Sequence, residues 1–130
     1  MFVLSRMTSE TVVINDTYTV VPVTISGRHL KLAIHAARPF RLDPPELARE
    51  VEAADPTVRF TCELSVGGSI CIDEVFTLVF VAVRKVEVGA APKVRLGIEG
   101  PRRTKLCCHY ADGSESKEHM LGEVMPKNVF

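Results

Sequence analysis

Apolar and polar side chains alternate through the first 38 residues in short runs broken by turn signals, and no other feature restricts the fold as much. Alternation of period two gives each run one apolar face, the mark of a half-buried strand, and the close spacing of the turns leaves room for little but hairpins. Phe2 and Leu4 alternate with Val3, Ser5 and Arg6 in a first short strand, and 12–14 form a second. Residues 18–25 form a third that contains Pro22, whose missing N–H implies an edge or a bulge. Leu30, Leu32 and Ile34 then oppose Lys31, Ala33 and His35 in a fourth strand. Asn15-Asp16 and Ser26-Gly27 supply the turns.

Residues 38–42 are a candidate fifth strand. Asp43 reads as a helix N-cap, with Pro44 in the first helical position and Glu46 three residues after the cap. A short amphipathic linker helix is therefore expected over 45–54, closed by Asp55-Pro56.

The second half repeats the plan. Residues 58–64 stand for the first strand, 66–75 for the second strand and its turn, 76–83 for the long third strand and 94–103 for the fourth, with a longer turn over 84–93. After Leu106 the pattern fades, and 109–130, rich in charge, Gly and Ser, reads as a weak helix or a loose tail. The expected fold is mainly β, as two five-stranded units (1–57 with the linker helix, 58–108) and a C-terminal tail (109–130).

The longest apolar run, 75–83, has the length of a strand, far below the roughly 20 residues that cross a bilayer. With an N-terminus already patterned as a strand, a cytoplasmic protein without a membrane span is expected. The four cysteines, at 62, 71, 107 and 108, lack CxxC spacing, so reduced and largely buried thiols are expected. Cys107-Cys108-His109 invites a metal reading, but neighbouring residues of a strand point to opposite faces and no second Cys or His pair supports them. One buried and one edge cysteine is the plainer account, and no metal is expected. His29 and His35 read as solvated turn and strand positions, and Asp73-Glu74 as turn acids. Val66-Gly67-Gly68-Ser69 is too short for a phosphate loop. Catalysis and cofactors have no support in the residues.

Net charge is zero but unevenly spread. Residues 84–105 hold seven basic side chains (Arg84, Lys85, Lys93, Arg95, Arg102, Arg103, Lys105) against Glu87 and Glu99, whereas 43–63 hold six acids against Arg49 and Arg59. A polyanion would meet one face rather than the whole molecule.

The opening M-x-V-L-S-R, the E-T-V-V-I-x-D turn at 10–16, the V-x-I-S-G turn at 23–27 and the L-K-L-A-I-H-A-A strand at 30–37 resemble, in order and spacing, the carbon storage regulator (CsrA/RsmE) family of bacterial RNA-binding translational regulators. Residues 66–75 and the V-R-L-G-I-E-G-P-R-R stretch at 94–103 resemble the same family again. The resemblance implies homodimers of chains half this length, with the first strand of one subunit beside the last strand of the other. Two such units in one chain then imply an interleaved, monomeric pseudo-dimer.

The resemblance also implies that RNA is held by the first strand, especially the Leu and Arg of its L-T-R segment, with the fifth strand of the other unit and an Arg just beyond it. Carried over, one composite edge joins Leu4, Ser5 and Arg6 to Arg102, Arg103, Lys105 and Leu106. A weaker second edge joins Cys62, Glu63 and Leu64 to Arg38, Arg41 and Leu42. The Arg beyond the fifth strand falls on Pro44 and Cys108, so neither edge keeps the full set for GGA recognition. The expected function is a non-enzymatic regulator that binds GGA-type loops or leaders in mRNA, or small RNA, and controls translation or message stability. The alternative is a CsrA-like scaffold that has lost RNA binding and engages a protein partner.

Overall fold

The computed structural model describes residues 1–84, 89 and 91–122. Among them the chain forms twelve strands: β1 (Phe2–Arg6), β2 (Thr11–Ile14), β3 (Tyr18–Ser26), β4 (His29–Ala36), β5 (Leu42–Asp43), β6 (Ala48–Val51), β7 (Val58–Ser65), β8 (Ser69–Ile72), β9 (Phe76–Arg84), β10 (Lys93–Glu99), β11 (Lys105–His109) and β12 (Glu115–Met120). They build two antiparallel sheets, the first in the order β1-β10-β9-β8-β5 and the second in the order β12-β11-β2-β3-β4-β7-β6.

Each half lends strands to the other. β1 pairs with β10 in the register Phe2↔Ile98 to Arg6↔Val94, and β7 pairs with β4 from His29↔Ser65 to Ala36↔Val58. β11 lies on β2, and β5 on β8. The local details repeat at a constant spacing. Asn15 and Asp16 turn through positive φ (51° and 54°), as do Asp73 and Glu74 (51° and 59°), each pair 58 positions apart. Two successive left-handed residues give the tight turn whose twist matches its flanking strands. The ladder skips Val23 in β3 and Val81 in β9, again 58 apart, so both long strands carry the same bulge. Pro22 sits directly before the first bulge, where a missing N–H costs least.

The inward faces close over one core. Val12, Ile14, Val20, Leu30, Leu32 and Ile34 of the second sheet are buried with Ile70, Ile72, Leu78, Phe80, Leu96 and Ile98 of the first. Burial stabilises such side chains by about 1.5–3 kcal/mol each, and neither sheet could bury them without the other.

Two expectations from the sequence are corrected. The linker helix over 45–54 is absent: Pro45–Leu47 make one 3₁₀ turn, and Ala48–Val51 continue as β6 against β7. Asp43 cannot cap, because it is paired with Cys71, and the cap position falls to Pro44, which makes no side-chain bond there. A ten-residue helix is marginal alone, whereas the open edge of β7 offers backbone partners. The tail is corrected as well, since 115–120 form β12 along β11. The long turn over 84–93 and the last residues, 123–130, lie largely or wholly outside the described residues. Among the described residues no helix is long and apolar enough to cross a membrane.

Candidate nucleic-acid interface

β1 is the outermost strand of the first sheet, and its Arg6 points inward across the gap to the second. Only 9% exposed, Arg6 donates from Nη1 to the carbonyls of Thr11 (3.3 Å) and His109 (3.0 Å), and from Nε to that of Ser5 (2.7 Å). Its guanidinium is thus spent on three backbone acceptors. Leu4 is half-buried, Ser5 exposed and Leu106 wholly buried.

Lys105 exchanges two bonds with the turn of the first half: its N–H donates to Asn15 Oδ1 and its carbonyl accepts from Asn15 N–H, both at 2.8 Å. Its ammonium meets Asp16 Oδ2 at 3.2 Å, and that hydrogen bond and charge push the Lys105 pKa up. Arg102 and Arg103 stand exposed in the β10–β11 turn, with Arg103 at φ 70° and its N–H donated to the Leu121 carbonyl at 2.6 Å. Leu121 N–H returns a bond to the Thr104 carbonyl at 2.8 Å.

β12 pairs with β11 from Lys105↔Met120 to His109↔Glu115, along the side of β11 that the sequence left open. His119 lies against Phe2 with ring centroids 4.4 Å apart, so β12 fills the space between β1 and β11. Met1, Phe2, Arg102, Glu118, His119 and Met120 line the cleft of about 800 Å³ that remains.

The weaker edge is altered in parallel. β6 pairs along 59–62 of β7, and the 3₁₀ turn reaches the neighbourhood of Leu64 and Ser65. Arg38 donates to the Tyr18 hydroxyl, stacks over its ring at 5.2 Å and meets Asp73 Oδ2 at 3.5 Å, while the hydroxyl donates to Asp73. Arg41 N–H donates to Asp73 Oδ1, and Asp73 N–H to the Arg41 carbonyl, both at 2.8 Å, the counterpart of the Lys105–Asn15 exchange. Burial opposes ionisation of Asp73, but the bonds from Tyr18 and Arg41 and the charge of Arg38 outweigh it and hold the carboxyl below its ordinary value. Burial first, then Asp73, raises the Tyr18 phenol. The Arg41 side chain is exposed and Leu42 is buried.

Both thiols of Cys107-Cys108 are buried, where one edge position was expected. Cys107, Glu115 and Glu118 bring their ligand atoms within 4.8 Å of one another. Burial raises the Cys107 pKa and keeps the thiol protonated, so that it donates to Glu118 Oε2 at 3.8 Å.

The sequence treated 84–105 as a single basic segment, but β10 separates its cations. Arg84, Lys93 and Arg95 lie at one end of the strand, and Arg102 and Arg103 follow the other. Alternating burial sends Val94, Leu96 and Ile98 inward and Lys93, Arg95 and Glu99 outward. Neither the added strands nor this division was visible to sequence reasoning. The Asp112-Gly113 pair was the available signal for β12, since Gly113 turns at φ 89° and Asp112 Oδ1 accepts from Ser114 N–H at 2.8 Å.

Comparison with protein-family models, with curated proteins and with solved structures finds no match to this chain.

Proposed function

We propose that the chain is a single-chain counterpart of the CsrA/RsmE homodimer and that it binds mRNA leaders or small RNAs, without catalysis, to control translation or message stability. The observation that carries this reading is the reciprocal exchange of strands, β1 onto β10 and β7 onto β4, with the same bulge and turn in each half. Two independent small barrels would pair each first strand within its own half. The pairing supports a monomer that contains both units.

Recognition differs from what the resemblance implies. A guanidinium reads guanine through a free planar fork, and Arg6 is buried with its Nη1 on Thr11 and His109 and its Nε on Ser5. Binding therefore draws on charge more than on a GGA loop. Titration with a hairpin carrying GGA in its loop, beside one with a scrambled loop, at two salt concentrations, tests this. Salt-sensitive binding of both, with a small preference for GGA, is expected. Binding of neither at low salt would overturn the reading.

A second reading, a CsrA-like scaffold that acts as a protein interaction module, is favoured by β12 along β11 and β6 along β7, strands that close both composite edges. Recovery of a stoichiometric protein partner without RNA from the native host would support it.

A further inference from the structure

We infer that the outward face of the first sheet, at the end where β9 and β10 carry Arg84, Lys93 and Arg95, is the surface that holds the phosphate backbone of single-stranded RNA. The inference rests on the RNA-binding reading above and assigns that reading a site on the sheet face beside the first composite edge, shared with it only at Ser5.

Directly paired residues of antiparallel strands share a face. Arg84 is paired with Lys93, and Arg95 with Ala82 on one side and with Ser5 of β1 on the other. Arg84, Lys93, Arg95 and Ser5 are all exposed. Lys93 and Arg95 are two residues apart, about 7 Å along the strand, so the three cations form one cluster that runs to the outer edge of β1.

The acids on the strands of this face, among the described residues, lie in a row at its far end, and Glu10, in the loop after β1 at the near end, turns its carboxylate back to accept from the Met7 N–H at 2.7 Å. Glu99 is paired with Thr77, and Asp43 with Cys71, which itself pairs with Thr77. Six residues of strand put Glu99 about 20 Å from Lys93, more than twice the screening length at physiological salt. The cluster is therefore felt as positive by an approaching polyanion.

The other sheet serves as an internal control. By the repeat, Ser26, His29, Lys31 and Glu63 occupy the corresponding positions there, and Lys31 is paired directly with Glu63. The same fold thus carries one basic face and one that is nearly balanced. Few aromatic side chains lie on the basic face, which favours phosphate contact over base stacking.

The test is a titration of the full chain with an oligouridine of about 12 nucleotides at roughly 50 and 200 mM salt. The triple variant Arg84→Gln/Lys93→Gln/Arg95→Gln is compared with Arg102→Gln/Arg103→Gln. Three phosphate contacts on a single strand correspond to a salt slope of about 2, so the triple variant should lose a roughly 20-fold salt dependence that the wild type shows over this range. The double variant should keep most of it. A slope lost in the double variant and retained in the triple would overturn the assignment while leaving RNA binding intact. No binding by the wild type at either salt would overturn the RNA reading itself. Amine labelling of wild-type Lys93 gives a readout independent of mutant folding: RNA should protect it, and equal labelling with and without RNA would overturn the site.

Discussion

Arg6 Nη1 and the carbonyl oxygen of His109 meet at 3.0 Å across a sequence separation of 103 residues. That bond ties the first strand of the chain to the end of β11, with the Thr11 carbonyl held by the same nitrogen. Cutting it leaves two partly buried acceptors without their charged donor. Arg6→Ala should therefore cost about 1–3 kcal/mol in urea unfolding. The salt slope of RNA binding should barely change, because the guanidinium is not on the surface. A variant of unchanged stability would refute the tie.

Acid should act through Asp73. Its folded-state pKa lies below the ordinary value of 3.8, so the carboxylate contributes stability that is present above that value and lost as pH falls through the folded one. Asp73→Asn should flatten the decline of melting temperature below about pH 4, and should cost about 1 kcal/mol at neutral pH through the weakened bonds to Arg38 and Tyr18. An acid limb identical to the wild type would show that other carboxylates govern it.

The thiols should react in order of access. Cys62 is 1% exposed and burial pushes its pKa up to about 12, whereas Cys71 is half-buried with Sγ 3.1 Å from Thr77 Oγ1. Alkylation at mildly alkaline pH, followed by mass spectrometry, should modify Cys71 first and Cys62 only on the timescale of unfolding. Early labelling of Cys62 would contradict the packing of β7 between β4 and β6.

Two glycines on and after β10 should respond differently to an added methyl group. At Gly100 the new carbon would lie 2.7 Å from Cδ1 of the buried Phe76 ring, which cannot move without disturbing Tyr18. At Gly97 its three nearest neighbours would all belong to the Met1 side chain, itself 63% exposed and able to swing away. Gly100→Ala should cost about 1–3 kcal/mol and Gly97→Ala should stay within about 0.5 kcal/mol, as read by thermal unfolding.

What could be read in advance was local. The alternation at Leu30, Leu32 and Ile34, the turn at Asn15-Asp16 and the interruption at Pro22 each follow from one strand's own chemistry, and each is present in the fold. The misreadings concern segments whose state is set by a partner. Residues 45–54 carry helix-starting signals, yet the unpaired edge of β7 takes 48–51 as a strand. Glu115–Met120 has no apolar alternation to announce it, and becomes β12 because β11 offers a ladder and Asp112-Gly113 reverses the chain. The candidate site was legible only as composition. Seven cations over 84–105 were visible, but not that Arg6 and Lys105 are spent on internal partners while Arg84, Lys93 and Arg95 are left together on one face.

Joining both halves in one chain changes what a single mutation can reach. In a symmetric dimer one codon specifies both edges, and a change that improves one site alters its twin. Here the position that is Arg6 in β1 is Leu64 in β7, buried in both halves, but a charged donor to backbone carbonyls in one and an apolar side chain in the other. Each half can therefore be selected separately, one toward a charged tie between the sheets and the other toward apolar packing, while the shared core continues to hold them at a constant separation.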